Sequence, residues 1–221
     1  MIKACIFDCD GTLLDTLTSI SYCANRALAD FGFPVFDSRA YKYFVGDGAA
    51  NLVRRCLKAA GDTKCSHFDE VLKRYKEYFA VDCMYEVRPY EGINELTEQL
   101  KKQGIAFAVL SNKPHEQTVK VISDTFPENT FAAVQGQMEG IPIKPAPDGA
   151  LFLAKKMGAL PEECLYIGDT DTDMKTGNAA GMHTVGVLWG FRERKELEEN
   201  RAEFIAGCPE EILQIISENF R

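Results

Sequence analysis

The sequence predicts an α/β fold: an open parallel sheet flanked by helices, with an all-helical segment inserted near its start. Three observations carry that prediction. A nearly uninterrupted apolar run, Ile2-Lys3-Ala4-Cys5-Ile6-Phe7, has the length of a buried strand and stops on Asp8-Cys9-Asp10-Gly11-Thr12. A stretch of about seventy residues then carries helical spacing with no strand signal. From Pro89 onward, helix and strand patterns alternate, as right-handed crossovers in a parallel sheet require.

Taken in order, Ile20, Cys23, Ala24, Ala27, Leu28 and Phe31 fall on one helical face, and Gly32 with Pro34 supplies the stop. Leu52, Val53, Cys56 and Leu57 mark a second helix ending near Gly61, and Phe68, Val71, Leu72, Tyr75 and Phe79 a third. This insert begins just past the first strand, so residues 15–87 are expected to form a cap over the carboxyl edge of the sheet. Residues 1–14 and 88–221 then form the core, with hinges near 13–18 and 84–90. In the core the pattern predicts helix 93–103, strand 105–110, helix 115–126 and strand 131–135. Helix 148–157, strand 164–167, helix 174–180 and strand 184–187 follow, giving five or six parallel strands. Residues 192–201 read as a solvated helix face and 209–216 as a terminal helix.

A chain of 221 residues can bury roughly 70% of its unfolded surface, so core size is not limiting. The net charge of −8 and the lack of any Lys/Arg stripe argue against nucleic acid as a partner. Any anionic ligand must then meet positive charge concentrated locally. No stretch reaches transmembrane length, and Asp8 and Asp10 interrupt the only apolar run near the start, so no signal peptide is expected. The eight cysteines are expected to be reduced thiols in the cytoplasm. Cys9, flanked by two acids, is no thiolate nucleophile, because adjacent negative charge raises a thiol pKa. Three unpaired histidines give no His-based metal site.

The chemistry begins with Asp8 and Asp10. Two carboxylates delivered by a strand to the ligand-binding edge of a sheet can divide the roles of nucleophile or metal ligand and proton donor. An Asp-rich turn of this kind also serves as a plain capping turn. Three further segments follow: Ser111-Asn112 after an apolar run, Lys144 before Pro145-Ala146-Pro147, and Gly168-Asp169-Thr170-Asp171-Thr172-Asp173 after Cys164-Leu165-Tyr166-Ile167.

With the first segment, these resemble, in order, the four motifs of the haloacid-dehalogenase-like phosphohydrolases, and the wording is most similar to the phosphoglycolate-phosphatase branch. The resemblance spans essentially the whole chain. It implies a Rossmann-like core with a helical cap and Mg²⁺-dependent hydrolysis of a small phosphorylated metabolite, phosphoglycolate foremost. By the same resemblance Asp8 is the nucleophile that forms an aspartyl-phosphate, Asp10 the general acid and base, and Lys144 the neutralising cation. Asp8, Asp169, Asp173 and the backbone carbonyl of Asp10 are the implied Mg²⁺ ligands, a hard oxygen set. Ser111, Asn112 and Thr12 are expected at the substrate, and Lys113 and His115 as outer contacts. Asp171 is assigned to the helix cap or an outer role.

Val45-Gly46-Asp47-Gly48 resembles that branch's substrate loop, so Gly46, Gly48 and Arg55 are expected to bind the non-phosphate end of the substrate. The two glycines also fit an ordinary helix start. The alternatives are a sugar-phosphate mutase resembling β-phosphoglucomutase, a phosphatase of another small metabolite or of pyrophosphate, and a non-catalytic binding module. Either a monomer or a homodimer is consistent with the sequence.

Overall fold

The structure is a computed structural model that describes residues 1–220. In chain order its elements are β1 (Ala4–Phe7), β2 (Leu14–Asp15), α1 (Leu17–Asp30), a 3₁₀ turn (Ser38–Tyr43), α2 (Gly48–Ala59), α3 (Phe68–Asp82), β3 (Arg88–Pro89), α4 (Ile93–Lys102), β4 (Ala106–Pro114), α5 (His115–Thr125), β5 (Ala133–Gln137), α6 (Asp148–Lys156), β6 (Cys164–Gly168), α7 (Asp171–Ala179), β7 (His183–Val187), α8 (Arg194–Glu199), β8 (Phe204–Ala206) and α9 (Pro209–Asn219).

Six strands form one parallel sheet in the order β5-β4-β1-β6-β7-β8. β1 lies between β4 and β6, with Ile6 opposite both Ala108 and Tyr166. Strand alternation divides its side chains: Cys5 and Phe7 enter one apolar cluster with Val109, Ile167 and Val185, while Ala4 and Ile6 enter the other with Leu153 and Tyr166. Both faces are covered by helices, so every residue of β1 is buried, as a parallel sheet requires. Fully burying a side chain such as Phe7 or Leu153 stabilises by roughly 1.5–3 kcal/mol. The chain reverses direction across the sheet at β1, which places a ligand crevice at the carboxyl ends of β1, β4 and β6.

Helices α1, α2 and α3 occur between β2 and β3, and these two short strands pair antiparallel, Leu14 opposite Pro89 and Asp15 opposite Arg88. The helical insert therefore leaves and rejoins the sheet region through one narrow two-stranded neck. Within it, Asn25 accepts from the Tyr41 hydroxyl at 2.7 Å and brackets the backbone of Phe36, fixing the turn that follows α1.

Several boundaries differ from the sequence reading for identifiable reasons. β4 runs on through Ser111 to Pro114 because a register irregularity lets it keep pairing with β5 at Gln137. α7 starts at Asp171 rather than 174, since Thr170 caps it: its side chain accepts from the Asp173 amide while the Asp173 carboxylate accepts from the Thr170 amide. Asp171 is not the cap; it pairs with Lys175 one turn on. The short strand β8 was not foreseen, and Arg192, expected on a solvated face, is only 9% exposed. No helix among the described residues is long and apolar enough to cross a membrane.

Candidate active site

Asp8 immediately follows β1, and its amide donates to Ile167 O at 2.9 Å, continuing the ladder with β6. The chain then turns back on itself, with the amides of Leu13 and Leu14 both donating to Cys9 O. Gly11 sits in this turn at φ +92°, and a Cβ there would come within 2.4 Å of a carboxylate oxygen of Asp169. Glycine is therefore required both for the backbone conformation and for the close approach of Asp169.

Asp169, at the end of β6, accepts from the Thr12 hydroxyl at 3.1 Å and from the Phe191 amide at 2.8 Å. Asp173, in the first turn of α7, accepts from the Thr170 hydroxyl at 2.7 Å through Oδ2 and from Lys144 Nζ at 2.7 Å through Oδ1. The same Lys144 ammonium donates to Asp8 Oδ1 at 2.7 Å. Asn112 holds the lysine's backbone from both sides, donating to Lys144 O at 3.0 Å and accepting from its amide at 2.9 Å. One oxygen of Asp10 accepts from Thr16 Oγ1 at 2.6 Å and from Lys113 Nζ, and Lys113 is itself buried.

Oxygens of Asp8, Asp169 and Asp173 lie within 4.8 Å of one another, and all three residues are buried. One lysine cannot neutralise three carboxylates. Burial is the main force pushing the Asp8 carboxyl well above its usual range, opposed by Lys144 and reinforced by Asp173, Asp169 and Asp10. Burial, then repulsion from Asp173, pushes Asp169 up to about 7. A hard divalent cation would supply the missing positive charge to this all-oxygen set and favour its ionised form, so the donors fit such an ion.

Asp8, Asp10, Ser111, Asn112 and Lys113 line one cleft, which the insert covers with Ile20, Val45, Gly46, Gly48, Leu52, Tyr75 and Phe79. The family profile described as haloacid dehalogenase-like hydrolase matches residues 5–187. The chain belongs to the haloacid dehalogenase-like hydrolases. Among similar proteins, the phosphoglycolate phosphatase of Haemophilus influenzae is 28% identical over 215 residues, covering 95% of this chain and 96% of that one. The phosphoglycolate phosphatase of Aquifex aeolicus is also 28% identical over 215 residues, covering 97% of each chain. A crystal structure from Lactobacillus delbrueckii subsp. bulgaricus, provisionally assigned as a phosphoglycolate phosphatase, superposes with a TM-score of 0.91 at 32% identity, covering 97% of this chain and 98% of that one. With the family match, these relatives make this haloacid dehalogenase-like hydrolase a phosphatase.

Not every expected site residue meets the cleft. Thr12 is fully buried and is bound to Asp169, not positioned along the cleft wall. Arg55 does not line the cleft either; its guanidinium donates to Phe44 O at 3.0 Å and pairs with Asp47. Two groups were underrated. Lys113, expected as an outer contact, lines the cleft and grips Asp10; it stands two residues beyond Ser111, a spacing that puts both on one face of an extended strand. Thr16 carried no motif signal at all, because its role depends on the chain turning back after Gly11.

Proposed function

We propose that this enzyme is a Mg²⁺-dependent phosphomonoester hydrolase that acts through an aspartyl-phosphate on a small phosphorylated metabolite, with phosphoglycolate the leading substrate. The observation that carries the reading is Lys144, which joins Asp8 to Asp173 inside a buried carboxylate triad while Asp8 and Asp10 share one cleft. Asp8, Asp169, Asp173 and the carbonyl of Asp10 would hold the ion. When bound, Mg²⁺ neutralises charge on the nucleophile and the transferring phosphoryl group.

The remaining work falls to side chains. Lys144 occupies Oδ1 of Asp8, leaving Oδ2 to attack phosphorus in line. Lys113 and Thr16 occupy Oδ1 of Asp10, leaving Oδ2 to protonate the departing alkoxide and then to take a proton from the water that cleaves the aspartyl-phosphate. Ser111 and the Asn112 amide flank the position of the phosphoryl oxygens. Residues 15–87 act as the cap that excludes bulk water during transfer.

Turnover of phosphoglycolate by wild type, by Asp8→Asn and in EDTA tests this reading. The amide is a poor nucleophile and a weak ligand, so the variant should lose at least about 10³-fold in kcat, and chelator should abolish activity. Wild-type turnover in Asp8→Asn or in EDTA overturns it.

A further inference from the structure

Tyr166 stands in the middle of β6, fully buried, in the apolar cluster that contains Ile6 and Leu153. Its hydroxyl makes no hydrogen bond among the described residues. Burying an unpaired hydroxyl is destabilising, and phenylalanine would fill the same space without that cost. The hydroxyl therefore calls for a use that packing does not provide.

Strand geometry shows what it faces. Tyr166 pairs with Ile6 of β1, and Asp8 follows Ile6 by two residues, so Asp8 rises from the same face of the sheet. Gly168 follows Tyr166 by two residues on that face, and a Cβ there would come within 2.3 Å of the Asp173 side chain. Asp173 thus sits directly over Gly168. Two residues of a parallel strand advance about 6.6 Å, a distance that a tyrosine leaning along its strand can span. Tyr166 is kept in place by α7, the helix that carries Asp173: a Cβ on Gly177 would lie 2.9 Å from Tyr166 Cβ. Its hydroxyl is thereby brought beneath the ammonium that joins Asp8 to Asp173. The electrostatics agree, since burial pushes the phenol well above its usual range while Lys144 opposes this most and Asp173 and Asp8 add to it.

An ammonium carries three N–H donors. On Lys144, itself buried, two of them go to Asp8 and Asp173, and the third has no acceptor among the described residues. We infer that Tyr166 is a positioning residue for Lys144, its hydroxyl oxygen accepting the third N–H and holding the ammonium at the reacting centre during turnover. The need for it arises after the first chemical step. Once Oδ2 of Asp8 is bonded to phosphorus, Oδ1 is a neutral carbonyl oxygen and a weaker acceptor, so one of the two anchors of the lysine slackens. A lysine on its flexible four-carbon stem then needs a fixed partner to stay aimed at the phosphoryl group. The phenol, anchored in the sheet, is that partner.

The inference rests on the role given to Lys144 in the proposed hydrolysis, and one set of measurements separates the two. These are kcat and KM for 2-phosphoglycolate and p-nitrophenyl phosphate, with thermal midpoints, in wild type, Tyr166→Phe, Lys144→Met and the double variant. Tyr166→Phe should lower kcat fivefold or more on both substrates, with KM within twofold, because the hydroxyl touches neither leaving group. Its midpoint should equal or exceed that of wild type, since an unpaired buried hydroxyl is gone. In the Lys144→Met background the same change should alter turnover by less than twofold, because the residue it positions is absent. A wild-type kcat in Tyr166→Phe, a loss confined to KM, a loss accompanied by a lowered midpoint, or equal losses in both backgrounds overturns the inference and leaves the hydrolysis reading standing. The single variant keeps the ring that α7 packs on, so it decides the matter even if Lys144→Met does not fold. A wild type that hydrolyses neither ester overturns both.

Discussion

Asp10 shows how much a single carboxylate depends on its neighbours. Lys113 and Thr16 converge on one of its oxygens, and the Lys113 ammonium also lies 5.4 Å from the ring centre of Phe79 on α3. Two donors on one oxygen fix the plane of the carboxyl group, so that the second oxygen is presented in one orientation to the cleft. Replacing Asp10 by Asn removes the transferable proton while keeping shape. Single-turnover phosphorylation of the protein by an alkyl phosphate should then slow by about 10²-fold or more, and that by an aryl phosphate far less, because a phenolate leaves with little need of protonation. Equal losses on both substrates would assign Asp10 to positioning instead. Lys113→Met should show a weaker defect of the same kind. At this scale the sequence was informative where a motif followed a strand end: Asp8 and Asp10 after β1 and Asp169 and Asp173 after β6 could be picked out as candidates, whereas Lys144 lies in the loop between β5 and α6 and was marked only by the prolines that follow it. It was less informative about which side chain grips which. Thr12 and Asn112, expected at the substrate, form their direct bonds to Asp169 and to the Lys144 backbone, and such pairings arise from separations of 157 and 32 residues.

Among the elements, α2 joins the substrate cleft to the rest of the insert. Burial opposes ionisation of Asp47, yet hydrogen bonds from Thr172 and Arg55 outweigh it and hold the carboxyl below the usual carboxylate range. Arg55→Ala removes the cation and leaves the Asp47 carboxylate, still held by Thr172, as an uncompensated negative charge beside the cleft that repels an anionic substrate. KM for 2-phosphoglycolate should rise by roughly tenfold, equivalent to about 1.4 kcal/mol. Adding Asp47→Asn should recover most of the loss, because the repelling charge is gone. An arginine that contacted substrate directly would give the opposite result, with no recovery in the double variant. The helices themselves were legible from their apolar period, since α1, α2 and α3 bury most of the stripes that the spacing marks, with Phe31 left exposed and Phe68 and Leu72 half-buried. What escaped the sequence was a cap residue that does not cap: Asp47 followed by Gly48 reads as an ordinary helix start, and only the tertiary contacts to Thr172 and Arg55 redirect it.

Across the whole molecule, one segment ties the insert to the sheet. The loop after β7 carries Gly190, Phe191 and Arg192. The Phe191 amide holds Asp169 at 2.8 Å, while the Arg192 guanidinium donates to Lys42 O and, at 3.0 Å, to Val45 O in the insert. Lys42 Nζ in turn reaches Gly190 O at 3.4 Å. Asn112 adds a bond to Gly46 O at 3.3 Å, so residues 42–47 are held on the sheet edge largely through their backbone carbonyls. A guanidinium can span two carbonyls with its planar fork, whereas an ammonium is a point donor. The charge-rich run 192–201 gave no hint of this, because burial of its first residue depends on where the insert folds back. Arg192→Ala should therefore loosen residues 42–48 without unfolding the sheet, since the neck formed by β2 and β3 and the apolar contacts of α1 and α3 remain. Amide hydrogen exchange at 42–48 should accelerate by tenfold or more while that of β1 and β6 is unchanged. Turnover of 2-phosphoglycolate and of ethyl phosphate should fall together, keeping their ratio, because the loss affects closure and not recognition of one end of the substrate. Arg192→Lys should recover only part of the activity. Exchange rates at 42–48 equal to those of wild type would show that the insert is held by its neck and apolar contacts alone, and that Arg192 is a buried cation serving Glu196, its ion-pair partner at 3.0 Å.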